Sequence, residues 1–309
     1  MSAAPTVSGV PSPTAPADID PLTGLAPRPD SPMMIIKVDN EVLARPYQRG
    51  LTQAAVVYEE LMEGGSTRLA AVFDNAYAGE VGPIRSFRES DVDLLRQYGR
   101  VGVAFSGANR GVKRTFHAAV AAGLFLDASY DALSQDYRIG EHRADANNFF
   151  TRPSLLAQSL PDSGRTRDVG LRFGPLPVGA DRITQVARAV FSPGSVVTVR
   201  YDPPSRLYQV LQDGRRVTDV AAANIIVQRV QVHGSSYVDV LGNGTPYTVT
   251  VGSGSAVVLR NGRAIDATWT RPTPASVTHF LSADGHDVPL HEGQTWILLL
   301  PAGNSFTTG

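Results

Sequence analysis

The sequence predicts an α+β protein, in which an N-terminal mixed α/β domain is followed by a C-terminal, mainly antiparallel β domain, a sandwich or barrel. Three observations carry this expectation. In the first half, apolar strand-like runs alternate with helix-like segments near 86–97 and 110–122. Prolines and glycines then crowd residues 161–195, the punctuation of a boundary. Beyond it come short β-rich runs separated by turns, with Asp213-Gly214 and Asn261-Gly262 as the strongest hairpin signals. The expected division is a disordered tether over 1–19, the α/β domain over 20–165, a connecting segment over 166–195 and the β domain over 196–309.

The first strand, Met33–Asp39, ends in Asp39-Asn40, a polar strand terminus of the kind that ligands approach in α/β sheets, or a turn cap. Arg45-Pro46 and Gly50 make a loop. Residues 55–63 and 66–73 then form a hairpin around Gly64-Gly65, taken as a two-residue turn. In that register Glu63 faces Ser66 and Met62 faces Thr67. Val56, Tyr58, Met62, Leu69, Ala71 and Phe73 share the core face, and Glu59, Leu61, Glu63 and Arg68 share the other. Glu60 violates this pattern by falling on the apolar face.

Gly82-Pro83 marks a turn, and Ser86-Phe-Arg-Glu89 has the form of a capping box opening a helix to about Gln97. Arg88 then lies in the first helical turn, where the macrodipole disfavours a cation, so a negative partner is expected. Candidates are Glu59, Glu63, Glu89, Asp91, Asp93 or an anion bound by Arg85 and Arg88. Val101–Phe105 is a further strand and Arg110–Ala122 a helix. Between them Gly107-Ala-Asn-Arg-Gly111 lacks the Gly-Lys-Ser/Thr ending of a phosphate loop. Residues 127–151 are a long polar connection, rich in Asp, Arg and Asn, that can fold over the first site. In the second half, runs at 196–201, 206–211, 224–233, 237–241, 246–251, 255–260, 263–269 and 294–300 supply the strands, and Trp269 and Trp296 fall in them as core.

With 309 residues, 42% hydrophobic and 18% charged, the chain has the composition of a folded protein large enough for two cores. A net charge of −1 without any basic run excludes a general polyanion binder, so no nucleic-acid partner is expected. There is no cysteine, hence neither disulfide nor thiolate-bound metal. His286 and His291, with Asp284 and Glu292 near them, fit no zinc spacing, and Pro289 forbids a regular helix there. No metal and no cofactor is expected. Lys37 and Lys113 are the only lysines; arginine supplies the remaining positive charge.

The functional signal is the crowding of charge into 37–91. The candidate ligand-binding set is Asp39, Asn40, Arg45, Glu59, Glu63, Arg68, Arg85 and Arg88, joined by Arg143, Asn147 and Asn148 from the polar connection. Glu59 and Glu63 are the candidate catalytic carboxylates, since two acids in unlike environments can take opposite roles. An ion-pair lattice pinning hairpin to helix accounts for the same residues without function.

Several segments resemble a known family. DPLTGL (20–25), VDN (38–40), ARPYQRGL (44–51), VVYEELMEGGSTRLAAVF (56–73) and GPIRSFR (82–88) are similar to the YerB-type bacterial lipoproteins, and 223–233, 266–271 and 292–301 resemble that family's C-terminal domain. The resemblance implies a membrane-anchored, extracytoplasmic protein of two linked domains with no assigned activity. It also makes the Ser/Pro/Ala/Thr-rich residues 2–17 the kind of tether that follows a lipidated cysteine on the outer face of the cytoplasmic membrane. One departure is Ala146-Asn147-Asn148-Phe149-Phe150, where a Pro-His-Asn-like triplet is expected before the aromatic pair; no histidine role is carried over. The expected function is binding of an anionic or polar cell-envelope component or envelope protein. The alternatives are hydrolysis of envelope glycans or peptides through Glu59 or Glu63, and a structural module that docks proteins.

Overall fold

A computed structural model describes residues 19–27, 29–140, 148–180, 182–238 and 244–309. The first half contains β1 (Met34–Asp39), β2 (Val56–Leu61), β3 (Thr67–Phe73), β4 (Val81–Ile84), α1 (Ser90–Leu95), β5 (Val101–Ala104), α2 (Arg110–Ala121), β6 (Phe125–Asp127), β7 (Tyr137–Ile139), β8 (Phe149–Thr151) and α3 (Pro153–Ser159). The second half contains β9 (Val186–Ser192), β10 (Ser195–Asp202), β11 (Leu207–Gln212), β12 (Arg215–Ala222), β13 (Asn224–Val230), β14 (Val232–Val238), β15 (Gly244–Thr248), β16 (Gly252–Arg260), β17 (Arg263–Arg271), β18 (His279–Leu281), β19 (Thr295–Pro301) and β20 (Phe306–Thr308). Strands far outweigh helices: the fold is α+β and mostly β.

One sheet runs through both halves. Its order is β18-β17-β16-β13-β19-β2-β3-β1-β4-β8-β7, with β5 parallel beside β1 and β6 beside β5. The join is β19, which lies parallel to β13 and to β2, placing Leu298 opposite both Val227 and Glu59. A strand with neighbours on both sides and layers on both faces favours a near-continuous apolar run, which is why Thr-Trp-Ile-Leu-Leu-Leu-Pro carries no alternation. A second, antiparallel sheet has the order β12-β11-β10-β9-β20.

Each face of the long sheet is covered, as a two-faced sheet requires. On one face Val57, Leu69, Trp296 and Leu298 pack with Phe191, Val199 and Val210 of the five-stranded sheet. On the other, Ile35, Val72 and Ile297 pack with Leu94 of α1 and with Phe116 of α2. Both tryptophans are core, with Trp269 2% and Trp296 0% exposed.

The 63–66 turn corrects the expected hairpin register. Glu60 pairs with Arg68 and Leu61 with Thr67, while the Met62 amide donates to the Ser66 carbonyl, so Glu63-Gly64-Gly65 is a three-residue loop. One extra residue in the loop flips one strand relative to the other. Val57, Glu59, Leu69 and Ala71 therefore share one face, and Tyr58, Glu60, Arg68 and Ala70 the other. The misfit of Glu60 in the sequence was the trace of this slip. Gly64 and Gly65 sit at φ +66° and +76°, and Ser192 Oγ donates to the Gly65 carbonyl at 2.6 Å. A Cβ on Gly65 would meet Ser192 Oγ at 2.9 Å, whereas one on Gly64 meets nothing. Gly65→Ala should thus cost about 1–3 kcal/mol and Gly64→Ala about 1 kcal/mol in urea denaturation.

Three further elements differ from expectation. The helix starts at Ser90, four residues after the supposed Ser86 cap; its N-cap position is Glu89, without a side-chain cap bond, and Asp91 Oδ2 in the first turn reaches back to accept the Arg88 amide at 2.7 Å. Gly82-Pro83, expected as a turn, lies inside β4, which pairs with β1 and β8. Val186–Ser192, placed by its flanking prolines in the connecting segment, forms β9 by burying Ala187, Ala189 and Phe191 in alternation. The Asp213-Gly214 and Asn261-Gly262 hairpins have the expected two-residue turns, with all four residues at positive φ and Gln212 opposite Arg215, Arg260 opposite Arg263.

Candidate functional site

On the face toward α1, β1 contributes Lys37 and Asp39, β2 contributes Glu60 and β3 Arg68, all inside the protein. Lys37 Nζ lies 2.6 Å from Glu60 Oε1 and 2.6 Å from Asp91 Oδ1, with none of the lysine side chain exposed. Ser90 Oγ donates to Glu60 Oε2 at 3.1 Å. One cation thus serves two buried acids. Burial, reinforced by the Glu60 charge, pushes the Asp91 carboxyl up to about 7, while Lys37 outweighs the cost of burial and holds Glu60 below the ordinary range.

Beside this triad, Asp39 meets Arg68 Nη1 at 3.2 Å and Arg85 Nε at 3.0 Å, and Glu41 reaches both guanidinium groups at 3.4 Å. Burial lowers Arg68 to about 10, partly offset by Asp39. Arg88 pairs with Glu63 at 2.8 Å, so of the acidic candidates Glu63 is the one that answers it. Every arginine of this group has a carboxylate partner, and the group is close to neutral.

On the opposite face, Glu59 is completely enclosed. Asn40 Nδ2 (3.1 Å) and Thr67 Oγ1 (2.8 Å) donate to its Oε1, and Gln212 Nε2 from the second half donates to its Oε2 at 2.8 Å. Burial raises it to about 7 despite the hydrogen bonds from Thr67 and Gln212 and the charge of Arg45. Gln212 Oε1 is buried without a hydrogen-bond partner among the described residues, so turning that amide over lets it accept a hydrogen bond from the protonated Glu59 carboxyl.

Gln212 also lines a cleft of about 380 Å³, bounded by Val42, Arg45 and Pro46 on one side and by Asp213, Arg215, Arg216 and Val217 of the β11–β12 hairpin on the other. Arg45 is held there by Asn40, whose carbonyl accepts its Nε at 2.9 Å, and by an ion pair with Asp213. Arg215 and Arg216 are exposed and have no ion pair among the described residues.

Residues 22–166 match the family "Protein of unknown function (DUF3048) N-terminal domain", and 187–297 match its C-terminal domain. The chain belongs to this family. It is 25% identical over 303 residues to "Putative lipoprotein YerB" of Bacillus subtilis (strain 168), covering 91% of this chain and 86% of the relative. The crystal structure of the YerB protein from Bacillus subtilis has the same fold, with a TM-score of 0.76 at 21% identity over 94% of this chain and 99% of that one. No helix among the described residues is long and apolar enough to cross a membrane.

Within this family member, the expected residues separate into two groups. Asp39, Arg68, Arg85, Arg88 and Glu63 gather on the α1 face, whereas Glu59, Asn40 and Arg45 lie on the other, toward the cleft. The two candidate carboxylates therefore do not face each other. Asn148 is buried at the base of the β7–β8 hairpin, its carbonyl accepting from Gly140, and takes no part in either group. Arg143 and Asn147 lie outside the described residues. Sequence reasoning missed Lys37, Glu41, Asp91, Gln212, Arg215 and Arg216 as site members. Lys37 had a signal, a lone lysine within an otherwise apolar run; Gln212 and the two arginines had none, because only the tertiary fold brings β11–β12 to β2.

Proposed function

We propose that this chain is the ectodomain of a membrane-anchored, extracytoplasmic lipoprotein that binds an anionic cell-envelope component in the cleft between residues 42–46 and the β11–β12 hairpin. The observation that carries the reading is the pair Arg215 and Arg216, cations without acidic partners among the described residues, beside Arg45 in a cleft whose other lining residues include Val42, Pro46 and Val217. Unpaired guanidinium groups favour planar anions bidentately, and the apolar walls suit the body of the ligand. A carboxylate-bearing peptide or a phosphate-bearing wall polymer has this chemistry. The name of the relative and the composition of residues 2–17 support the anchored, extracytoplasmic setting.

Glu59 is read as support for the cleft wall, not as a catalyst. All three of its hydrogen bonds are internal, and Gln212 stands between it and the cleft. Thermal unfolding of the ectodomain against muropeptides, wall polymers and simple anions tests the proposal. A ligand at about a hundred times its dissociation constant should stabilise by about 2.7 kcal/mol, and the Arg215→Ala/Arg216→Ala chain should unfold at the unliganded midpoint with or without it. Failure of every anionic compound to raise the wild-type midpoint would refute the reading.

A further inference from the structure

A second and larger cleft, of about 650 Å³, opens where Gly174–Leu176, the β10–β11 turn at Arg206, the β16–β17 turn at 260–263 and the residues before β19 meet. We propose that it binds a small hydroxylated phosphate ester, such as a sugar phosphate, through Arg206, Arg260 and His291. The site lies apart from the first cleft and shares no lining residue with it.

Arg260 is 3% exposed, yet it has no acidic partner among the described residues: Nη1 donates to the carbonyls of Gly174 (2.9 Å) and Pro289 (2.6 Å), and Nε to Asn261 Oδ1 (3.0 Å). A buried guanidinium satisfied by carbonyls keeps its full charge, which projects into any adjoining space. Arg271 is satisfied in a comparable way, but the space beside it holds about 10 Å³, no more than a water. At Arg260, unlike at Arg271, the uncompensated charge borders a cavity of ligand size.

Arg206 adds a second cation. It occupies a turn position at φ +60°, a conformation that glycine or asparagine fills with less strain, and its side chain is exposed without an ion pair among the described residues. Arg263 lines the same space. His291 is fixed by its backbone, whose N–H and C=O both bond the Asn224 side chain, at 2.8 and 2.7 Å. The opposing groups are the exposed carboxylate of Glu292 and the Asn261 amide, which suit hydroxyls rather than the phosphate. A bare phosphate fills only a fraction of the volume, so the ligand has a body. Burial, with Arg206 and Arg260, holds His291 below its ordinary value, against Glu292; a bound dianion reverses that balance and makes the ring a reporter.

The test is a calorimetric titration with glucose 1-phosphate and with inorganic phosphate at matched ionic strength, alongside NMR of the histidine rings, with His291 assigned through His291→Gln. The expected result is saturable binding of the ester about tenfold tighter than that of phosphate, with a shift of the His291 ring. Affinity should be lost by about tenfold or more in Arg206→Gly, which suits the positive φ, and kept in Arg200→Ala, an exposed arginine of β10 outside the cleft. An unmoved His291 signal, or equal affinities in Arg206→Gly and Arg200→Ala, would overturn the proposal.

Discussion

Replacing Lys37 by methionine should destabilise the protein by about 3–5 kcal/mol, because it strands two buried carboxylates. Both acids depend on the same Nζ, at 2.6 Å each, and neither has access to water. Methionine fits the stem's position between Ile36 and Val38, so little of the loss is packing. For a chain of this size the midpoint should fall by roughly 6–20 °C. Adding Glu60→Gln and Asp91→Asn should restore most of the loss, since the penalty lies in the uncompensated charges and not in the missing lysine. A loss below about 1 kcal/mol in Lys37→Met would show that the triad is already neutralised in some other way.

Stability should decline as pH rises from about 5 to 8. Glu59 and Asp91 are both raised to about 7 in the folded chain, from ordinary values of 4.5 and 3.8. Each keeps a proton when folded that it releases when unfolded. The stabilisation is complete below the ordinary values and is lost as pH climbs through 7, by about 3–4 kcal/mol per group at 1.36 kcal/mol per pKa unit. Glu60, held low, acts in the opposite sense, but its window lies below its ordinary 4.5, as pH falls. His291, also held low, opposes the trend near its ordinary 6.5 with one proton against two. Urea denaturation at pH 5, 6, 7 and 8 checks the slope, and Glu59→Gln and Asp91→Asn should each remove about half of it. Stability that rises over this interval would contradict the assignment.

The parts of this fold that the sequence displays are those set by local chemistry. Asp213-Gly214 and Asn261-Gly262 specify their hairpins because two successive positive φ angles admit few other residues. The α2 helix is legible from its periodicity and the Asn109 cap, whose Oδ1 accepts the Val112 amide at 2.8 Å. The 63–65 loop is not, since Gly-Gly suits both two- and three-residue turns, and the choice reverses which acids face the core. Nor does any local pattern announce that β19 will slot between β13 and β2, because a fully buried parallel strand reads the same in many sheets. The same holds for the candidate site. Charges crowded within 37–91 marked the region, but they are largely paired with one another, and the arginines that have no ion pair among the described residues arrive from a hairpin more than a hundred residues later.

The proposed binding cleft is tested most directly by calorimetric titration of the compound that best stabilises the wild-type chain into three proteins: wild type, Arg215→Ala/Arg216→Ala and Arg85→Ala. Arg85 is already shared between Asp39 and Glu41, whereas Arg215 and Arg216 have no acid to leave among the described residues. The predicted result is an affinity lower by about tenfold or more in the double variant, as expected for lost charge-assisted hydrogen bonds, and unchanged in Arg85→Ala. Binding that survives the double variant and disappears with Arg85→Ala would contradict the account and move the site to the Asp39–Glu41–Arg85 cluster on the other face of the sheet.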